Sequence, residues 1–115
     1  MDKQTVKYIM DYFFHLSNDK EKLAWKHYSS SIKLEGNESP KKLEMYKKKG
    51  WLTDDNDVLN LLKDGYDNFE ENTAKKILAT HEDKIFFNRC PNCGLLARTP
   101  KAKQCRYCLH DWHDS

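Results

Sequence analysis

The chain has 115 residues, the length of one domain or of a small domain with an appendage. With 38% hydrophobic and 33% charged residues and a mean hydropathy of −0.94 it is polar for a folded protein, yet 12% aromatics argue against disorder. No run approaches the roughly 20 apolar residues that span a bilayer, and a net charge of +2 assigns no partner by itself.

The opening stretch MDKQTVKYIMDYFFHLS interrupts its apolar residues with charges and lacks the continuous apolar core of a secretory leader. A soluble, cytoplasmic protein is therefore expected, and no membrane partner. Val6, Ile9, Met10, Phe13 and Phe14 recur at helical spacing and predict a first helix. Asn18 followed three residues later by Glu21 reads as an N-cap and its reciprocal partner. Ala24, Trp25, Tyr28 and Ile32 form the stripe of the second helix, fading at Glu35-Gly36. Ser39-Pro40 reads as a cap with proline in the first turn of a lysine-rich third helix that stops at Gly50.

Thr53-Asp54 predicts the cap of a short fourth helix carrying Val58, Leu59 and Leu62, stopped by Asp64-Gly65. Tyr66, Phe69, Thr73, Ile77 and, one step aside, Ala74 and Leu78 give a fifth helix to about Thr80. The aromatic stripes are read as core. The sum is a mainly α protein, a small bundle of four to five helices over residues 1–83. A chain this polar buries a modest core, so a metal clip would add a useful share of stability. Charge is uneven: residues 41–51 carry five lysines against Glu44, residues 54–83 total −6, and residues 84–115 total +4.

The strand-like KIFFNR, residues 84–89, leads into CPNCGLLARTPKAKQCRYC, residues 90–108, which holds all four cysteines as two CxxC pairs. Two intervening residues let both sulfurs of a tight turn point at one ion, and two such turns complete a tetrahedron of thiolates. That is the closed coordination of structural zinc. Cys90, Cys93, Cys105 and Cys108 are the candidate ligands of one Zn2+ per chain. Gly94 fits a knuckle that needs a positive φ. Leu95–Arg98, a turn at 99–102 and Lys103-Gln104 predict a short β-hairpin between the pairs.

Clustered cysteines in a reducing compartment are ligands more often than disulfides, and a redox CxxC needs a βαβ setting that the flanks do not offer. Iron in a rubredoxin-like site would use the same four thiolates and is the alternative metal. His110 and His113 are read as surface groups or as groups behind the ligands, since four thiolates already fill the shell.

Residues 88–113 resemble a zinc ribbon of the short CPxCG…CxxC kind found at the ends of many small prokaryotic proteins. The resemblance implies the same four ligands and a zinc-ribbon hairpin over residues 84–115, behind the helical part. The whole chain also looks like a group of small bacterial proteins of uncharacterised function with a helical front and a ribbon ending in ARTPKAKQCRYC…DWH; that likeness implies no activity. Leu109 departs from the ribbon pattern, where a second glycine is common. A left-handed conformation there would cost about 1 kcal/mol.

A four-cysteine shell leaves no open position for water or substrate, and the chain has no HExxH, P-loop, GxSxG or GxGxxG. His15, His27 and His81 are scattered, and Ser29, Ser30 and Ser31 lack a recognisable base. The expectation is a non-catalytic zinc-binding interaction module with a protein partner and no small-molecule substrate. The second reading is a nucleic-acid-binding ribbon that uses Arg98, Lys101, Lys103, Arg106 and Tyr107, extended by Tyr46 and Lys47–Lys49. The third is rubredoxin-like electron transfer.

Overall fold

The computed structural model describes residues 1–35 and 39–113. It is mainly helical: α1 (Lys3–Phe13), α2 (Asp19–Leu34), α3 (Pro40–Lys48), α4 (Asn56–Asn60) and α5 (Tyr66–His81), with 3-10 turns at Phe14–Leu16 and Glu82–Lys84. Among the described residues no helix is long and apolar enough to cross a membrane. The chain forms two compact units, residues 17–70 and residues 1–16 with 71–115. The cysteine segment is thus grouped with α1 and the end of α5, where the sequence places a boundary between Asp83 and Lys84. Asp114, counted in the charge of residues 84–115, and the Gly36 stop of α2 lie outside the described residues.

In the first unit, the Asp2 carboxylate caps α1 by accepting the Thr5 N–H at 2.7 Å. That contact satisfies one of the donors that a helix start leaves open. Val6, Ile9 and Met10 are buried as their spacing predicts, and Phe13 and Phe14 are half-buried. Tyr8, off the predicted stripe, is buried as well. Its ring stacks on Phe87 with centroids 5.9 Å apart. Its hydroxyl donates to the Phe86 carbonyl and accepts the Asn88 N–H. Burial pushes the Tyr8 phenol up from its ordinary value. Thr73, Ala74 and Ile77 of α5 are buried in the same unit.

In the second unit, Asn18 and Glu21 form the expected reciprocal cap, at 2.8 and 2.9 Å. Glu21 is buried with its carboxylate satisfied in this way. The buried face of α2 runs through Ala24 and includes Ser30, which leaves Trp25 and Ile32 exposed at 40% and 46%. Both lie about a quarter turn round the helix from Ala24, so the face is rotated away from the predicted stripe. Tyr28 stacks flat on Tyr66, centroids 4.0 Å apart. The cap of α4 is Asp55, which accepts the Asp57 N–H, while Thr53 Oγ1 accepts the Asp55 N–H. Two polar side chains in series therefore move the helix start one residue past Thr53-Asp54.

The strand at 84–89 and the hairpin at 95–104 are not formed. Among the described residues there is no extended strand, only two isolated antiparallel bridges, Arg89 with Leu96 and Gln104 with Asp111. The physical reason is local. Each CxxC turn reverses the chain so tightly that its two flanks pair with each other and leave no partner for pairing across the connecting segment.

Candidate metal centre

Each cysteine pair builds the same turn, and Cys105 stands fifteen residues after Cys90. In the first turn Cys90 N–H donates to the Leu95 carbonyl at 2.9 Å, Gly94 N–H to Cys90 at 2.9 Å and Ala97 N–H to Asn88 at 2.7 Å. In the second, Cys105 N–H donates to His110 at 2.8 Å, Leu109 N–H to Cys105 at 3.1 Å and Trp112 N–H to Lys103 at 2.8 Å. The residue after the second cysteine is left-handed in both, Gly94 with φ 77° and Leu109 with φ 64°. Leu109 is the strained position that the sequence marks.

The turns bring the four sulfurs within 4.8 Å of one another. Cys90 Sγ lies 3.6 Å from Cys108 Sγ, and Cys93 Sγ lies 3.5 Å from Cys105 Sγ. A disulfide would need about 2.05 Å; all four thiols are free. A tetrahedron with metal–sulfur bonds of about 2.3 Å has sulfurs about 3.8 Å apart, so the spacing fits a four-coordinate ion with little movement. Among the described residues the metal-binding cluster consists of these four cysteines, and neither His110 nor His113 belongs to it. The His110 ring stacks on Trp112, and the His113 ring pairs with Asp111.

Backbone N–H groups converge on the sulfurs. Cys90 Sγ accepts from Asn92 and Cys93, both at 3.4 Å, and Cys105 Sγ from Tyr107 and Cys108 at 3.3 and 3.5 Å. The Asn92 side-chain amide reaches across to Cys108 Sγ at 3.6 Å. Donors aimed at sulfur favour thiolate over thiol. The His110 N–H, then the Asn92 amide, hold the Cys108 thiol down to about 6. The Cys108 and Tyr107 N–H groups lower Cys105. At Cys93 the Leu95 N–H also favours the thiolate, but desolvation and the three neighbouring sulfurs outweigh it and push the thiol up to about 12. Four thiolates at this spacing repel, and a divalent cation at their centre removes that conflict.

Asn88 organises the segment between the turns. It is buried, and its amide donates to the Thr99 and Ala102 carbonyls, both at 2.9 Å. Tyr107, at the tip of the second turn, donates its hydroxyl to Gln4 Oε1 on α1. Together with Tyr8 this ties α1 to both ends of the cysteine segment. Sequence reading misses Asn88, Asn92, Tyr8 and Gln4. A polar residue inside a CxxC turn was the one local signal, and it marks Asn92 alone.

The basic candidates are all exposed. Arg98 and Lys101 lie on the connecting segment, Lys103 at the entry of the second turn, and Arg106 and Tyr107 at its tip. The Arg106 guanidinium lies 5.0 Å from the Tyr107 ring centroid. No protein-family model matches the chain, and no curated protein or solved structure matches it.

Proposed function

We propose that residues 84–115 form a zinc ribbon in which Cys90, Cys93, Cys105 and Cys108 hold one Zn2+, and that it works as a non-catalytic module for binding a protein partner. The observation that carries this reading is the closed set of four sulfurs within 4.8 Å of one another. When bound, the ion supplies folding energy and cross-links the two turns. Phe86, at 58% exposure, and Leu109, at 68%, are left uncovered on the same segment together with Leu95. Large exposed apolar side chains rimmed by polar residues favour a protein partner. In this reading the helices carry the scaffold, the protein acts inside the cell, and it is not an enzyme.

The test is elemental analysis with X-ray absorption on the purified chain. One zinc with a sulfur-only shell at about 2.3 Å is expected. Visible absorption from iron–thiolate bonds would move the reading to rubredoxin-like electron transfer, and a nitrogen ligand would sink the four-cysteine shell. Replacing Leu95 and Leu109 with glutamate should abolish partner capture while zinc content stays the same.

The exposed set Arg98, Lys101, Lys103, Arg106 and Tyr107 favours a second reading, a ribbon that binds nucleic acid. Four phosphate contacts would give a log–log salt slope of about −3 with single strands, and Lys101→Ala with Lys103→Ala would flatten it by about 1.4.

A further inference from the structure

The 17–70 unit carries a basic and aromatic cluster that the metal centre does not use. Lys26 of α2 and Lys49, just past α3, each hold their ammonium over the Trp51 ring, 4.5 and 4.8 Å from its centroid. Trp51 is itself fixed. Its N–H donates to the Tyr46 carbonyl at 2.9 Å, and its ring meets the buried Tyr46 ring edge-on, with centroids 5.0 Å apart. The two ammonium groups lie no farther apart than the sum of their distances to the ring. That upper bound slightly exceeds the Debye length of about 8 Å at physiological salt, so their mutual repulsion is partly screened but not removed. Among the described residues neither has a carboxylate partner. The surrounding segment, 41–51, adds four further lysines, Lys41, Lys42, Lys47 and Lys48, against Glu44.

We propose that Lys26, Lys49 and Trp51 form a docking surface for single-stranded nucleic acid, with phosphates on the two ammonium groups and a base against the indole. Uncompensated cations gathered on one rigid ring call for an anion, and the ring selects which anion. A phosphate that draws an ammonium aside frees an indole face, and a base stacked there replaces the cation–π contact with a stronger one. A duplex keeps its bases stacked on each other and would use only the lysines. An acidic peptide would likewise leave the indole without a role.

The next part of a strand also has a place to go. A cavity of about 580 Å³ is lined by His27, Leu43, Lys47 and Leu52 among others, including the chain neighbours of Lys26 and Trp51. It offers apolar walls and the Lys47 ammonium, with the Asp54 carboxylate also on its lining, so it suits a base better than a second phosphate. The surface lies wholly in the 17–70 unit, so this inference does not rest on the cysteine cluster or on the reading of its function.

Anisotropy of a labelled thymidine strand of about twelve nucleotides, titrated with the full chain at several salt concentrations, tests it. Lys26→Gln with Lys49→Gln should flatten the log–log salt slope by about 1.4, at roughly 0.7 per phosphate. Trp51→Leu should weaken binding about tenfold at unchanged slope. Trp51→Phe, which keeps a ring for packing against Tyr46, should fall between the two and guards against a folding defect. Lys101→Ala with Lys103→Ala should leave affinity within twofold, which separates this surface from a nucleic-acid-binding ribbon. Binding that ignores Lys26 and Lys49, or no binding at low salt, overturns the proposal. So does displacement of the strand by poly-glutamate together with indifference to Trp51→Leu, which would make the surface one for acidic peptides.

Discussion

Asn88→Ala isolates the contribution of one buried amide to the metal centre. The side chain donates to the Thr99 and Ala102 carbonyls at 2.9 Å each and so closes the segment that joins the two cysteine turns. Each such bond contributes about 0.5–1.5 kcal/mol net, which puts the loss near 2 kcal/mol for the pair. Metal binding requires both turns to be in place at once, so the cost of ordering the connecting segment passes into the apparent affinity. At 1.4 kcal/mol per tenfold, zinc should bind about 30-fold more weakly. Asn88→Asp is the sharper variant. It keeps the shape, removes both donors and sets carboxylate oxygens against two carbonyl oxygens, so it should lose more than alanine does. Competition titration against a chromophoric chelator measures both, and hydrogen exchange at residues 98–102 shows where order is lost. An alanine variant that binds zinc within threefold of the parent, or an aspartate variant that outperforms it, would refute the reasoning.

Leu109→Gly should stabilise the zinc-loaded chain by about 1 kcal/mol, because leucine at φ 64° is strained and glycine is not; thermal unfolding with and without metal reads it. Cys90→Ser or Cys105→Ser should remove hydrogen-exchange protection from residues 84–113 before it is lost from α2 and α3. Protection of α1 should fall with that segment, since Tyr8 and Gln4 bond to it. Simultaneous loss throughout the chain would mean one cooperative unit instead. Asp2→Ala should cost about 1 kcal/mol at neutral pH through loss of the α1 cap. The Thr5 N–H and hydroxyl hold the Asp2 carboxyl below its ordinary 3.8. The charged cap therefore stabilises above that value and is lost as pH falls through the lower folded one, so denaturation curves of parent and variant should converge in acid.

What the sequence made legible is local. A cysteine pair with two residues between needs only four consecutive positions to aim two sulfurs at one point, and the Asn18–Glu21 cap needs the same span. What stayed hidden depends on partners far along the chain. Tyr8 breaks the apolar stripe of α1, and its burial makes sense only because its hydroxyl donates to the Phe86 carbonyl and accepts the Asn88 N–H, some eighty residues on. The hairpin expectation failed for a related reason. The eleven residues between the pairs are long enough for two strands, but residues 95–97 and 103–104 are already paired inside their own turns. Spacing cannot tell which of two flanks a segment will choose.

The two turns share their backbone bonds, their left-handed residue and their N–H···S contacts while sharing almost no side chains besides the cysteines. Backbone geometry therefore shapes each turn, and the side chains at matching positions are free to differ. They do so in ways that metal binding does not require. Asn92 turns inward to Cys108, whereas its counterpart Tyr107 turns to Gln4 on α1. Gly94 has no side chain, whereas Leu109 accepts a strained φ and places an apolar group at 68% exposure. A leucine where glycine is cheaper is a local conflict that folding does not require, and it agrees with the proposed binding role of this segment. If the proposed protein-binding role holds, the second turn, more than the first, is where the contact should be sought.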